Sequence, residues 1–377
     1  MARKVLGGCE QVRVAAIQIA PVFMDKERTI KKAIQYINEA ASNDAELIVF
    51  PEAFIPGYPA YYTGGFESSL KEWANYNITL QENSVVIPSE DTEILAKAAR
   101  EAGAYVVIGC NELSEKPGNR TVYNTLLFLG SDGSILGKHR KLMPTYTERT
   151  YWGWGDISDL RVFDTNIGRL GGLICWENHM ILIKAAMIEL GEEIHIAVWP
   201  GSWSIISGPS LVEPDTAGFG GTCDLQPAIR EHAFEAGAFV VSVSGLLRSE
   251  DIPNEHAYIR DNPHVNYKWA VGGSAVVSPF GNYLAEPVFN QEKIVYANLD
   301  PSLIKAAKVV FDANGHYARP DVAQLMLSWK PWAMPTRVHE RIMAAVTLPS
   351  SELRRIAEKY EIPPEKLEKV LDELLLR

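Results

Sequence analysis

The stretch covering residues 12–50 limits the possible folds more than any other part of the chain. Residues 12–20 (VRVAAIQIA) read as a strand, Ile30, Ala33, Ile34, Ile37 and Ala41 then recur at helical spacing, and residues 47–50 form a short apolar run that suits a buried strand. This is a βαβ opening, and it requires a sheet with a helix laid against it. The pattern recurs: Ile94, Leu95, Ala98 and Ala102 mark a helix face closed by Gly103, and residues 105–109 follow as a strand. Further strands are predicted at 124–129, 170–174, 194–198, 239–243 and 274–277. GSDGS (130–134) and SPFGN (278–282) carry the Gly and Asp or Asn residues that hairpin turns use. The expectation is a mixed α/β sheet system with helices outside.

No long Gly/Ser or Pro-rich linker, low-complexity tract or convincing internal repeat occurs before about residue 347, which favours one domain over residues 1–347. Residues 348–377 differ. Leu353, Ile356 and Ala357, a break at Pro363 and Pro364, then Leu367, Val370, Leu371, Leu374 and Leu375 among many charges predict two short amphipathic helices as a tail.

Lys plus Arg total 36 and Asp plus Glu 47, a net charge of −11, which argues against nucleic acid or an anionic membrane as the main partner. A small, uncharged or weakly charged ligand fits better. There is no run of 18 apolar residues, and MARKVLGGCEQVRV lacks the apolar region of a secretory signal, so a soluble cytoplasmic protein is expected. Cys9, Cys110, Cys175 and Cys223 lie far apart with no CxxC pair and no zinc-type Cys/His spacing, so neither structural disulfides nor a bound metal is expected.

Four residues stand where α/β proteins build chemistry. Glu52, in FPEAFIPGYP, directly follows the strand LIVF; partial burial there would raise its pKa toward that of a general base, whereas exposure would make it a helix cap or solvated loop residue. Lys141, in GKHRKLMPT, either stabilises developing negative charge or joins Lys138 and Arg140 in a basic surface cluster. Glu148, in PTYTERT, either holds that ammonium or pairs with Arg149. Cys175 ends the strand of GRLGGLICWENHM; Gly171 and Gly172 allow close backbone approach, and a turn after Cys175 would aim the thiol outward with the Trp176 N–H placed to bind an oxyanion. Its other reading is a buried strand cysteine. None of the eight histidines sits in a recognised Cys/His signature, and His316 reads as a packed or hydrogen-bonding residue.

Taken in order, these segments resemble the carbon–nitrogen hydrolases of the nitrilase superfamily, from about Val12 to about Gln324. The family's FPE glutamate falls on Glu52, its lysine on Lys141, its second glutamate on Glu148 and its nucleophile on Cys175. Cys175-Trp176-Glu177, and GHYARPDV from Gly315 to Val322, are similar to the nitrilase branch; GGSAVVSPFGNYLAEP, from Gly272 to Pro287, matches the family's late strand pair. The resemblance implies a four-layer αββα sandwich that pairs through its helices into dimers or longer spirals. It implies no cofactor, and hydrolysis of an organic nitrile to acid and ammonia. It also implies a pocket wall including Tyr58, Pro59, Tyr146, Trp176, His179, Trp199, Pro200 and Trp203. An amidase or nitrile-hydrating enzyme using the same four residues is the nearer alternative, and a non-catalytic assembly protein on the same scaffold the more distant one. The charged tail matches no feature of the family.

Overall fold

The computed structural model describes residues 4–62, 69–202 and 225–327. Its strands are β1 (Val12–Gln18), β2 (Leu47–Val49), β3 (Tyr105–Leu113), β4 (Val122–Leu129), β5 (Ile135–Arg140), β6 (Phe163–Thr165), β7 (Gly168–Ile174), β8 (Ile194–Trp199), β9 (Phe239–Ser244), β10 (Gly272–Val277), β11 (Tyr283–Phe289) and β12 (Lys293–Leu299). Its α-helices are α1 (Lys26–Ala41), α2 (Leu70–Glu82), α3 (Glu90–Ala102), α4 (Ile181–Glu189), α5 (Leu225–Ala236), α6 (Ala257–Arg260) and α7 (Pro301–Val310). The described residues up to Gly155 and from Asp159 to Leu325 form one compact unit. The predicted tail, and the division at residue 347, lie outside the described residues.

Two six-stranded sheets make the middle of the molecule, ordered β12-β1-β2-β3-β4-β5 and β11-β10-β9-β8-β7-β6. In the first, β1, β2 and β3 run parallel, β12 pairs antiparallel with β1, and β4 and β5 continue antiparallel. The second repeats that pattern strand for strand: β7, β8 and β9 are parallel, β6 is antiparallel at one side, and β10 and β11 are antiparallel at the other. The repeat is one of topology, with no counterpart evident in the sequence.

Side-chain alternation explains the layering. Along β1, Val14 and Ala16 join a core shared with Leu126 and Phe128 of β4 and with Leu170, Ile196 and Val241 of the second sheet. Ala15 and Ile17 point the other way, into a cluster with Ile30, Ala33 and Ile37 of α1 and Leu95 and Ala99 of α3. Both faces are therefore buried, and each Leu, Ile or Val so placed contributes roughly 1.5–3 kcal/mol of transfer free energy. Helix α5 packs on β9 of the second sheet, which completes the αββα order.

The helices begin and end where local chemistry directs. Asp25 caps α1 by accepting from the Arg28 N–H at 2.9 Å. Gly103 closes α3 in the left-handed conformation, at φ 63°. One expectation fails here: Ile94, read as part of the buried face, is 41% exposed. The face is carried by Thr92, Leu95, Ala96 and Ala99, and Ile94 lies off that row. The turns GSDGS and SPFGN do join antiparallel neighbours, β4 to β5 and β10 to β11. No described helix is long and apolar enough to cross a membrane.

Candidate active site

The ends of β2, β5 and β7, with the loop after β5, bring the four singled-out residues together. Glu52 follows β2 in a turn whose Ala53 has φ 47° and which lies against β3: the Ile55 N–H donates to the Gly109 carbonyl at 3.1 Å, and the Asn111 N–H to that of Ile55 at 2.7 Å. Gly109 is required for that approach. A Cβ there would come 2.2 Å from the Pro51 oxygen and 2.6 Å from the Ala53 nitrogen.

Lys141 directly follows β5 and is 1% exposed. Its ammonium donates to Glu52 Oε1 at 3.0 Å and to Glu148 Oε1 and Oε2 at 3.0 and 2.8 Å. The neighbouring cations go elsewhere: Lys138 and Arg140 both bind the buried Glu112 carboxylate, so the surface-cluster reading does not describe Lys141. Glu148 sits in a short helical turn, Tyr146–Thr150, and accepts from the Thr145 N–H at 2.6 Å and the Tyr58 hydroxyl at 2.6 Å. Arg149 instead donates to the Pro144 carbonyl.

Cys175 is the first residue after β7 and has φ 55°, a conformation disfavoured for a side chain with a Cβ. Gly172 lets the first sheet come close, since a Cβ would meet Phe128 at 3.2 Å, and Gly171 does the same for Met187 of α4 at 2.7 Å. The Cys175 sulfur and one carboxylate oxygen from each of Glu52 and Glu148 all lie within 4.8 Å of one another. Such a group could in principle ligate a metal. Here the Lys141 ammonium already supplies the positive charge.

Burial sets the electrostatics. Desolvation pushes the Glu52 carboxyl up to about 8; the Lys141 charge opposes this, and the Glu148 charge adds to it. Burial would strip Lys141 of its proton, but Cys175, Glu148 and Glu52 together hold its pKa above the ordinary lysine value. Burial and the Glu148 charge keep the Tyr58 hydroxyl protonated, as its donation to Glu148 requires. Glu52 Oε1 accepts from both Lys141 and Asn124, while Oε2 has no hydrogen-bond partner among the described residues.

A pocket opens onto Cys175 and Glu148, lined also by Tyr58, Trp176, Trp199 and Trp269. Of the other wall residues expected from the sequence, Tyr146 and Pro200 also line it. Pro59 and His179 are not among the lining residues. Pro59 is buried and accepts from the Tyr76 hydroxyl through its carbonyl, and the His179 ring stands 6.0 Å from that of Trp176 and 6.1 Å from that of Trp199. Trp203 lies outside the described residues. His316 is exposed against Tyr317 rather than packed.

Three contributors escaped the sequence reading. Asn124 donates to Glu52 at 2.6 Å through its side chain and accepts the Lys141 N–H at its carbonyl. Asn111 holds the Ile55 and Gly57 carbonyls and accepts from Trp152, whose ring lies 5.8 Å from the Lys141 ammonium. Trp269 closes the aromatic wall, 5.7 Å from the Tyr58 ring. A polar Asn inside a largely apolar strand was the available signal for the first two; Trp269 had none.

A family model described as carbon-nitrogen hydrolase matches residues 13–309. The chain is 38% identical over 316 residues to an aliphatic nitrilase of Rhodococcus rhodochrous, covering 83% of this chain and 81% of that one. It is 37% identical over 330 residues to nitrilase 2 of Arabidopsis thaliana, covering 85% and 89%. Among solved structures, Nit3 of Saccharomyces cerevisiae, described as a member of branch 10 of the nitrilase superfamily, superposes with a TM-score of 0.62 at 21% identity, covering 84% of this chain and 99% of that one.

Proposed function

This chain belongs to the carbon-nitrogen hydrolase family, and we propose that it is a nitrilase, converting an organic nitrile and two waters to a carboxylic acid and ammonia. The observation that carries the reading is the sulfur of Cys175 held within 4.8 Å of the Glu52 and Glu148 carboxylates, with the Lys141 ammonium bonded to both acids.

The Cys175 thiol gives its proton to Glu52, whose burial has made it about as basic as a thiolate, and the sulfur adds to the nitrile carbon. The nitrile nitrogen takes that proton, leaving a thioimidate. Water, deprotonated by Glu52, adds to the same carbon to give a tetrahedral intermediate, whose charge Lys141 and the Trp176 N–H stabilise. Glu52 returns that proton to nitrogen and then passes it the hydroxyl's proton as well; as the C–OH becomes the thioester C=O the C–N bond breaks, and ammonia leaves a thioester. A second water, again activated by Glu52, breaks the C–S bond and frees the acid. Glu148 holds the ammonium in place. The aromatic wall of Tyr58, Trp176 and Trp199 suits an apolar substituent on the nitrile. No step calls for a cofactor.

The dispersed thiols of Cys9, Cys110 and Cys175 fit a reducing, cytoplasmic setting, and the net charge of −11 fits a protein without a nucleic-acid or membrane partner; the resemblance to the family supports assembly with copies of itself.

Purified protein offered a panel of nitriles and amides should release acid and ammonia from nitriles. Cys175→Ala should lower that rate at least about 10⁴-fold while keeping the fold, and mass spectrometry of slow turnover should find the acyl group on Cys175. Turnover of amides alone would make the protein an amidase, amide as the dominant product a nitrile-hydrating enzyme, and an adduct on Cys110 would remove the assignment.

A further inference from the structure

Outside the reacting groups, a second buried carboxylate ties the two sheets together beside the sulfur. Glu177, 1% exposed, accepts three hydrogen bonds: from the Leu142 N–H at 2.6 Å, from the Ile174 N–H at 2.7 Å, and from His139 Nε2 at 2.8 Å. Leu142 is the residue after Lys141, and Ile174 the residue before Cys175. His139, 2% exposed, places its other nitrogen 2.9 Å from the Asp159 backbone carbonyl. A carbonyl and an ionised carboxylate only accept, so both ring nitrogens must carry hydrogen and His139 is an imidazolium. Its positive charge balances Glu177, and the pair adds no net charge to the site.

The placement matters because of which sheet supplies which group. Lys141 and its partners Glu52 and Glu148 come from the first sheet and the loop that follows it, whereas Cys175 comes from the end of β7 in the second. The side-chain bonds of Lys141 to Glu52 and Glu148 therefore orient it within its own half and do not by themselves fix its distance from the sulfur, while the shared core sets the spacing of the sheets as a whole. Glu177 reaches both backbones at once.

We propose that Glu177, charge-balanced by His139, is a positioning residue that sets the separation of the Lys141 ammonium from the Cys175 sulfur and thereby decides whether nitrogen or sulfur leaves the tetrahedral intermediate. This rests on the nitrilase reading. In that intermediate, loss of ammonia leads to acid, whereas loss of the thiolate leads to amide; an ammonium that drifts toward the sulfur stabilises the departing thiolate.

The test is Glu177→Gln, which keeps shape but offers one acceptor oxygen where three donors point. Active enzyme is counted by single-turnover trapping of the acyl group on Cys175, which unfolded protein cannot form, so that it drops out of the rates. The expected result is a kcat lower by about 10- to 100-fold, KM within about threefold, and a clear rise in the amide-to-acid ratio, which mere loss of folded protein leaves unchanged. Glu177→Asp, which restores both acceptor oxygens, should move the ratio back toward wild type. A wild-type kcat and ratio in Glu177→Gln overturns the proposal, as does a lower kcat at an unchanged ratio. If Glu177→Gln does not fold, His139→Gln gives the same readout, and an unchanged product ratio there overturns it equally. Wild-type enzyme with no nitrile turnover would instead defeat the underlying reading.

Discussion

A carboxylate that is to take a proton from sulfur, as proposed for Glu52, must be more basic than a glutamate in water, and burial makes Glu52 so, with Oε2 unbonded among the described residues. The same burial has a cost in stability with a definite sign. A pKa raised to about 8 means that the folded protein holds this proton where the unfolded chain has released it, so the associated stability is complete at low pH and is lost as pH climbs through about 8. Glu52→Gln removes that loss. The melting temperature of Glu52→Gln minus that of the wild type should therefore be larger at pH 9 than at pH 6, even though the proposed role of Glu52 predicts that the variant is inactive; a gap independent of pH would show that Glu52 ionises normally. The four residues singled out from the sequence do stand together, because each ends or follows a strand with a recognisable motif. Asn124 and Asn111 were marked only as polar residues in largely apolar strands and Glu177 only as a neighbour of Cys175, since the partners across the fold that give them their value lie 35 to 72 positions away, which no local pattern encodes.

Among the elements, the strand ends carry the geometry, and small residues let them approach. Gly109 lets β3 lie against the turn that bears Glu52. Gly109→Ala would force the two apart, because the obstructing atoms are backbone and have no rotamer to change. It should cost about 1–3 kcal/mol of stability and lower kcat more than KM. Thermal melts and steady-state kinetics at a temperature where the variant stays folded would check this, and an unchanged kcat would show that the Glu52 turn is held by other contacts. The central strands were legible because their apolar runs are buried on both faces. β6 and β12 were not read from the sequence, since their residues are partly exposed and mix polar with apolar. β2 proved shorter than its apolar run, ending at Val49, with Phe50 already entering the turn.

At the scale of the whole molecule, Ile181 and Leu182 on α4 are 77% and 69% exposed, an apolar pair that a dissolved monomer has no use for. If helices pair in the assembly, as proposed, Ile181→Asp with Leu182→Asp should lower the sedimentation coefficient by at least the step from dimer to monomer; an unchanged value would place the contact on another face. The pairing was legible only through the resemblance in sequence, because the surface that a partner covers is written in no local pattern of the chain itself. The two sheets share one strand pattern, yet they supply different parts of the chemistry: acids and ammonium from one, sulfur from the other. Neither half is a weaker enzyme in its own right. A molecule whose sheets have parted, whether newly made, heated or cut between β5 and β6, holds only an ordinary thiol and a few stray charges, so turnover itself reports that the two halves are docked.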